Sequence, residues 1–373
     1  MEYNILDVGV NNCAGCGACA IVCPFTAITI EFSSMGFLIP LVDENLCTQC
    51  SSCKKVCYKY YEDSLIVSCS DYEGKKVIAV LNNYLEQMSL VSTAGVATQL
   101  AKYYLNNDHN VCGVTLTSSN KKCKHIILES DEDIVKIRGS KYLQSNCVFS
   151  FNELLKARKK SLVFGLPCQI YGLKQVIHQQ RIEDDIILVD FFCAGIPTIN
   201  LWTKYIDYLK RTMGLIDINT VNFRSKAQGW HKFSIEVTDT NGNVYRQNIF
   251  NDLFYSFYLK RVCLNKACYN CRFRHGKSHS DIRLGDFWGD KYRIYDDGVE
   301  LVVILTDKGE LAWNNVMSAF RFEYTETADI FESQKINKMP VPEEYENLLR
   351  FLASEEKLEQ IHARFNINIQ GFK

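Results

Sequence analysis

An α+β head of about 60 residues followed by a larger α/β domain of mixed sheet with helices is the fold class that the sequence predicts. Three observations predict it. Cysteines fall at 13, 16, 19 and 23 and again at 47, 50, 53 and 57, so the spacing C-x2-C-x2-C-x3-C occurs twice near the start of the chain. From Val77 onward, short apolar strands alternate with amphipathic helices, the pattern of α/β layering. The 373 residues exceed a single typical domain. The expected boundaries are 1–62 for the head, 75–160 and 161–335 for two α/β blocks, and 340–373 for a helical tail.

The doubled run is the bacterial pattern for two 4Fe-4S clusters, making the head ferredoxin-like. A cubane takes one soft thiolate per iron, and two-residue gaps let three thiolates converge from one tight loop. The fourth comes from the other run. The expected sets are Cys13, Cys16, Cys19 and Cys57 for one cluster, and Cys47, Cys50, Cys53 and Cys23 for the other. Gly15 and Gly17 suit backbone that winds closely around a cluster. Pro24 follows Cys23 as in the standard run, whereas Tyr58 holds the matching place after Cys57. Zinc or disulfides are the alternatives, but zinc sites favour two separated C-x2-C pairs. Seventeen cysteines in a chain with 47% apolar residues do not make a small secreted scaffold.

A formal net charge of -1 gives no basic footprint for nucleic acid or an anionic membrane. The opening MEYNILDVGV lacks the basic and apolar regions of a signal peptide. The longest apolar candidate, IILVDFFCAGI, is interrupted by Asp190 and falls short of the roughly 18 residues of a membrane span. A soluble protein of a reducing cytoplasm is expected.

Residues 60–75 read as a linker. VIAVLN at 77–82 reads as a strand. STAGVATQLAKYYLN at 92–106 reads as a helix opened by Ser92 or Thr93 at the N-cap, with Val96, Leu100 and Tyr103 on one face. NVCGVTL and KHIILE follow as strands, and IRGSKYLQS as a polar loop whose composition suits phosphate or ribityl groups as well as a plain connection. The strand Leu162 to Phe164 runs through Gly165, Leu166, Pro167, Cys168 and Gln169 into a helix. That order sets a helix N-terminus at a strand end, where anions and cofactors bind in open sheets. DIILVDFFC is a second such strand, ending at Cys193. Pro197 falls near the first turn of the helix in PTINLWTKYIDYLKR. FSIEVTDTNGNVYRQNI is a hairpin turning at Asn241, Gly242 and Asn243. LVVILT is one more strand, followed by a helix over Glu310 to Ala319 and a surface helix from Pro342 to about Phe365 that packs through Leu348, Leu349, Leu352 and Leu358.

A third chemical stretch carries Cys263, Cys268 and Cys271, with Asp286 fifteen residues beyond the last. With Cys193 these cysteines form the expected set for a third 4Fe-4S cluster, and Cys168 rivals for the fourth ligand. A zinc knuckle or reduced thiols are the alternatives. Cys69, Cys112, Cys123 and Cys147 read as ordinary buried thiols. His275 and His279 read as solvated or structural.

Six stretches in order, STAGVATQLAKYYL, RGSKYLQS, FGLPCQIYGLK, DFFCAGIPTINLW, FRSKAQGW and CYNCRFRHGKSHSDIRLGDFWG, resemble the motifs of the family of coenzyme F-420 hydrogenase/dehydrogenase beta subunits. The form it resembles is the one fused to a double-cluster ferredoxin, over roughly residues 10–330. The resemblance implies an α/β flavin-binding domain, with FAD and 4Fe-4S clusters passing electrons between a carrier and a second redox partner. A flavin takes up a hydride as a pair and releases electrons singly. By matching position it implies Ser92, Thr93, Gly95, Ser140, Lys141, Tyr142, Gln144 and Ser145 around the flavin, Gly165, Pro167, Cys168 and Gln169 beside it, and Lys226 and Asp286 behind. No general acid or base is singled out.

The leading expectation is therefore an FAD and iron-sulfur oxidoreductase fed by the deazaflavin coenzyme or by ferredoxin, with a dehydrogenase or hydrogenase subunit, a ferredoxin or a small organic molecule as its partner. Where the family has two glycines this chain has Ala94 and Gly95. The alternative is an electron-transfer subunit with a degenerate flavin site and no substrate of its own.

Overall fold

The computed structural model describes residues 4–60, 72–85, 88–117, 122–182, 185–274, 278–334 and 339–367. Cys69, His275 and most of the expected linker lie outside the described residues. The head begins with helix α1 (Ala18–Val22), then an antiparallel pair β1 (Ile28–Phe32) and β2 (Leu38–Val42), then helix α2 (Ser52–Lys55). Ile28, Ile30 and Leu38 alternate inward along the pair, the period-2 signature of a strand with one buried face. Cys19 and Cys53 are buried beside them.

The remainder runs β3 (Lys76–Asn83), α3 (Val96–Asn106), β4 (Asn110–Leu116), β5 (Cys123–Ile127), α4 (Ile134–Ile137), β6 (Ser145–Asn146), α5 (Val148–Ala157), β7 (Ser161–Gly165), α6 (Pro167–Gln180), β8 (Ile186–Phe191) and α7 (Ile199–Met213). A hairpin-based triplet follows, β9 (Ile218–Ser225), β10 (Ser234–Asp239) and β11 (Val244–Asn248), then α8 (Leu253–Leu259) and α9 (Lys266–Tyr269). The chain returns with β12 (Ile282–Asp286), β13 (Glu300–Ile304), α10 (Asp307–Asn314), β14 (Phe320–Thr325), α11 (Thr327–Gln334), α12 (Tyr345–Ala353) and α13 (Leu358–Arg364).

Nine strands form one mixed sheet in the order β14-β3-β13-β12-β8-β7-β4-β5-β6, drawing on both expected blocks. The pairs β12 with β8, β8 with β7, and β7 with β4 are parallel, so these strands end at one edge. β3 ends there too, because β13 is antiparallel to both β3 and β12. Alternation along the strands splits the two faces. Leu162, Phe164, Ile187 and Val189 pack with α3 and α10, whereas Val163, Ile186 and Leu188 pack with α5, α6 and Ala18, Ile21 and Val22 of the head. The head thus shares a core with the sheet.

Several boundaries differ from the sequence reading, each for a local reason. Helix α3 starts after Gly95, not at Ser92 or Thr93, because the Glu300 carboxylate accepts from the Val96 N–H at 3.1 Å in place of a side-chain cap. β8 ends two residues before Cys193. Pro197 precedes α7, whose N-cap is Thr198 with its hydroxyl accepting from the Asn200 N–H. The tail is two helices, because Lys204 Nζ donates to the carbonyls of Ser354 and Glu356 and holds the chain open between them. Leu348, Leu349, Leu352 and Leu358 are buried as expected, in the cluster that includes α7 and α8.

β12 joins the sheet through an ion pair. Arg283 donates to both oxygens of Asp190 at 2.8 and 2.7 Å, and its remaining nitrogen donates to Tyr72 Oη at 2.6 Å. Both charged side chains are at most 1% exposed. Ser278 and Ser280 hydroxyls complete the Asp190 carboxylate. Replacing Asp190 by Ala strands a buried guanidinium and is expected to cost about 3–5 kcal/mol, whereas the double change Asp190→Leu with Arg283→Met costs far less. Urea unfolding of both variants checks this; equal losses would contradict it.

Candidate functional site

The shared edge of β3, β7, β8 and β12 collects the N-termini of α3 and α6, the Cys193 segment after β8 and Asp286 at the end of β12, the place where open α/β sheets bind ligands. The head docks beside it. Cys147 Sγ donates to the Cys16 carbonyl at 3.2 Å, and Asn265 Nδ2 donates to the Cys13 carbonyl at 3.1 Å. Gly15 carries φ +65°, and a Cβ there would lie 2.4 Å from Gln144 Nε2 and 2.5 Å from the Leu38 carbonyl oxygen. Only glycine permits that approach.

The thiols form neighbourhoods that follow the expected sets in part. Burial pushes the Cys13 thiol up to about 11, with Cys16 adding to it, and the Cys57 thiol up to about 12, with Cys16 and Cys13 adding. Burial also raises Cys19 well above its usual value, and Cys16, Cys13 and Cys57 contribute. These four therefore feel one another. Burial likewise raises Cys53, and Cys23 adds to it. Cys47 is half-buried and Cys50 exposed, with the Cys50 thiol drawn down by the Ser52 hydroxyl. All sixteen described cysteines are free.

A second thiol set lines a cavity between the head and the sheet edge. Its walls include Cys168, Cys193, Cys268 and Cys271 with Pro167 and Tyr58. Burial raises the Cys168 thiol well above its usual value, and Cys16, Cys271, Cys193 and Cys268 add to it. Cys263 is not part of this lining. It lies fully buried in the cluster around α7 and α8, where its carbonyl accepts from the Thr198 N–H. Of the expected set, Cys193, Cys268 and Cys271 line the cavity together with Cys168, the rival for the fourth place at the start of α6, whereas Cys263 does not. Among the described residues no three His, Cys, Asp or Glu side chains form a group that could itself hold a metal ion. What the fold supplies is buried thiols facing a common space. Such thiols become thiolates at neutral pH only with a cation among them, which is the chemistry of an iron-sulfur site.

A polar group occupies the same edge around Asp286, at the end of β12. Arg224 donates to both oxygens of Asp286 at 2.8 Å and to Tyr142 Oη at 3.2 Å, and Trp230 Nε1 donates to Asp286 at 3.1 Å. The Trp230 and Trp288 rings stack at 4.4 Å. Lys226 Nζ donates to the carbonyls of Thr93 at 3.2 Å and Asp297 at 2.7 Å, and burial pulls its ammonium down to about 8. Glu300 is paired with Asp286 across β12 and β13, and burial pushes its carboxyl up to about 7.

The residues expected around a flavin divide accordingly. Ser92 and Ser140 meet, their hydroxyls 3.2 Å apart, near Thr93, Gly95 and Lys226, and Asp286 and Tyr142 join through Arg224. Gln144 instead ties down the head, donating to the Ala14 carbonyl at 3.0 Å and accepting from the Leu38 N–H at 2.8 Å. Ser145 and Gln169 bond each other, and Gln169 also accepts from the Leu166 N–H, so both shape the turn that follows Gly165. Lys141 is turned to the Arg138 carbonyl at 2.7 Å. Pro167 and Cys168 belong to the thiol cavity. Arg224, Trp230, Trp288 and Glu300 went unrecognised in the sequence. The first three sit within stretches that carried the family resemblance, and Glu300 is the charge at the mouth of the apolar run LVVILT.

Glu300 makes stability fall with pH. Its carboxyl moves from 4.5 to about 7 on folding, so the folded state holds the extra proton across that window and loses stability as pH rises through it. Glu300→Gln keeps an acceptor for the Val96 N–H and removes the charge. The variant is expected to be more stable than the parent at about pH 8, on the order of 3 kcal/mol, and no more stable below about pH 4.5. Urea unfolding at the two pH values decides it; a difference that does not vary with pH would contradict the buried neutral carboxyl.

Known proteins share both halves of this arrangement. Residues 158–330 match the family described as the C terminus of the coenzyme F420 hydrogenase/dehydrogenase beta subunit, and residues 12–59 match the 4Fe-4S dicluster domain. A subunit of the F(420)H(2) dehydrogenase of Methanosarcina mazei is 23% identical over 187 residues, covering 48% of this chain and 51% of that protein. The coenzyme F420-dependent sulfite reductase of Methanocaldococcus jannaschii is 30% identical over 178 residues, covering 46% of this chain and 26% of that protein. The chain thus matches about half of the first relative and about a quarter of the second. A solved structure of the F420-reducing NiFe hydrogenase complex from Methanosarcina barkeri aligns with a TM-score of 0.48 at 18% identity, over 82% of this chain and 94% of that one. The chain thus carries a 4Fe-4S dicluster domain ahead of a region that belongs to the C-terminal family of coenzyme F420 hydrogenase/dehydrogenase beta subunits.

Proposed function

We propose that the chain is a cytoplasmic FAD-dependent iron-sulfur oxidoreductase. It passes electrons between a carrier, reduced coenzyme F-420 or ferredoxin, and a second redox partner or small organic substrate. The observation that carries this reading is the serial placement of the head thiols, the thiol cavity and the polar group along one sheet edge. Cys13, Cys16, Cys19 and Cys57 would hold one 4Fe-4S cluster, Cys23, Cys47, Cys50 and Cys53 a second, and Cys168, Cys193, Cys268 and Cys271 a third. The names of the two relatives, one part of a dehydrogenase and the other a sulfite reductase, favour a partner protein or fused module as the electron sink.

Ser92, Thr93, Gly95, Ser140, Tyr142 and Lys226, with Asp286 behind them, are the residues that would hold the flavin. The donor set fits it. Lys226 uses two of its three N–H groups on backbone carbonyls, leaving one for an anionic ligand. FAD, when bound, supplies the exchange between paired and single electrons. Arg224 locks Asp286 and Tyr142 in place, with the Trp230 and Trp288 rings stacked beside it. Ala94, the residue behind the reading of a degenerate flavin site, is fully buried in the core with Val96 and Leu100. Its methyl therefore takes no room from the cleft.

Iron and extracted flavin per chain, measured on protein purified without oxygen, test the proposal. About twelve irons and one FAD are expected, since each cubane carries four. About eight irons and no flavin, even after FAD is added back, would leave an electron-transfer subunit instead.

A further inference from the structure

Tyr58 breaks the pattern of the doubled run, in which proline follows the fourth cysteine. In the fold it opens a turn, closed by the Tyr60 N–H donating to the Cys57 carbonyl at 3.0 Å, but it is not solvated. It is 8% exposed, lines the thiol cavity, and packs with Tyr171 of α6 and with Phe273, two residues past Cys271. The ring centroids of Tyr58 and Phe273 lie 5.5 Å apart, those of Tyr171 and Phe273 also 5.5 Å, and those of Tyr58 and Tyr171 6.4 Å at 85°. Ala14, Cys168 and Cys271 pack against this trio, so it stands between the head loop and the cavity thiols. Tyr58 is held from both sides. Its hydroxyl donates to the Asn12 carbonyl in the head at 3.2 Å, and Arg272 donates to its carbonyl from the body at 2.7 Å.

The neighbouring helix supports the same contact. Gly172 lies within α6, where a glycine costs about 1 kcal/mol relative to alanine. A Cβ there would lie 2.8 Å from Ala18 Cβ and 3.4 Å from Cys16 Sγ. The missing side chain lets the loop of Cys16 settle directly onto α6, one turn from Cys168.

We propose that Tyr58, with Tyr171 and Phe273, is the positioning element that fixes the spacing and excludes water between the head thiol set of Cys13, Cys16, Cys19 and Cys57 and the body set of Cys168, Cys193, Cys268 and Cys271, so that single electrons cross there. The inference rests on the reading of the body set as a third 4Fe-4S site. No bond forms or breaks in the step. One centre gives up an electron and the other gains it, with a low-potential one-electron carrier as the source. Proline at this place would keep the carbonyl that Arg272 meets but would supply neither the ring nor the hydroxyl that reaches Asn12.

The test uses the full chain with clusters assembled, in the parent, Tyr58→Phe and Tyr58→Leu. Iron per chain is measured first. Each protein is then mixed with one equivalent of reduced flavodoxin, a donor too large to enter the cavity, and the arrival of the electron at the body set is followed by freeze-quench electron paramagnetic resonance. Tyr58→Leu is expected to keep about twelve irons and slow that arrival at least about tenfold, as misplacement of reacting centres does. Tyr58→Phe, which keeps the ring, should stay within about twofold of the parent. Should Tyr58→Leu lose iron, Tyr171→Leu, outside both thiol sets, is read in the same way. Arrival at the parental rate with twelve irons overturns the bridge alone, as does equal slowing in the Phe and Leu variants. About eight irons in the parent overturns it together with the third site on which it rests.

Discussion

The structure depends on one intimate contact, the seating of the first cysteine loop on the helices that cover the sheet. Ala18, Ile21 and Val22 of the head lie in the same apolar cluster as Leu173, Val176 and Leu188 of the body. The head is thus an outer layer of the sheet's own core, and its orientation is fixed by packing density. Glycines make this possible on both sides. Gly15 and Gly172 each stand where a methyl group would strike a neighbour, so the thiol loop and α6 meet at backbone distance. An independent module on a flexible tether would show no such fit.

Around that contact the charges are few, buried and paired. Both pairs involve β12: Asp190 with Arg283 joins it to β8, and Asp286 with Arg224 ties its end to β9. Buried pairs of this kind contribute little net stability but specify a unique arrangement, since any register in which one partner is missing leaves an uncompensated charge. Here they fix the segment between Cys263 and Asp286, where three of the cysteines are found. Glu300 and Lys226 differ from them. Their proton affinities are shifted by burial toward neutrality, which is usual where proton-coupled chemistry is carried out.

The head was legible because metal chemistry imposes spacing directly on sequence. Eight cysteines at fixed intervals admit few readings, and the strand-helix alternation of the sheet is nearly as plain. What stayed hidden was long-range. Cys168 and Cys263 are both cysteines near suitable motifs, and only the fold shows that Cys168 lines the cavity with Cys193, Cys268 and Cys271 whereas Cys263 does not. Gln144 sat in a loop whose composition suggested a cofactor, yet its amide is used to hold Ala14 and Leu38. A side-chain amide can serve backbone or ligand equally well, and residue type does not distinguish the two. β12 was missed because Arg283 and Asp286 interrupt its apolar pattern, and the partners that make those charges tolerable lie about 60 to 90 positions away in the chain.

The two cysteine runs of the head also differ in how far they stand from water. Cys19 is buried in the head's own core and the Cys16 sulfur faces Gly172 of α6, whereas Cys50 is exposed. An oxidant arriving from solvent meets the outer run first, and sulfur reactivity follows exposure. Oxidative damage would therefore begin at the surface and proceed inward.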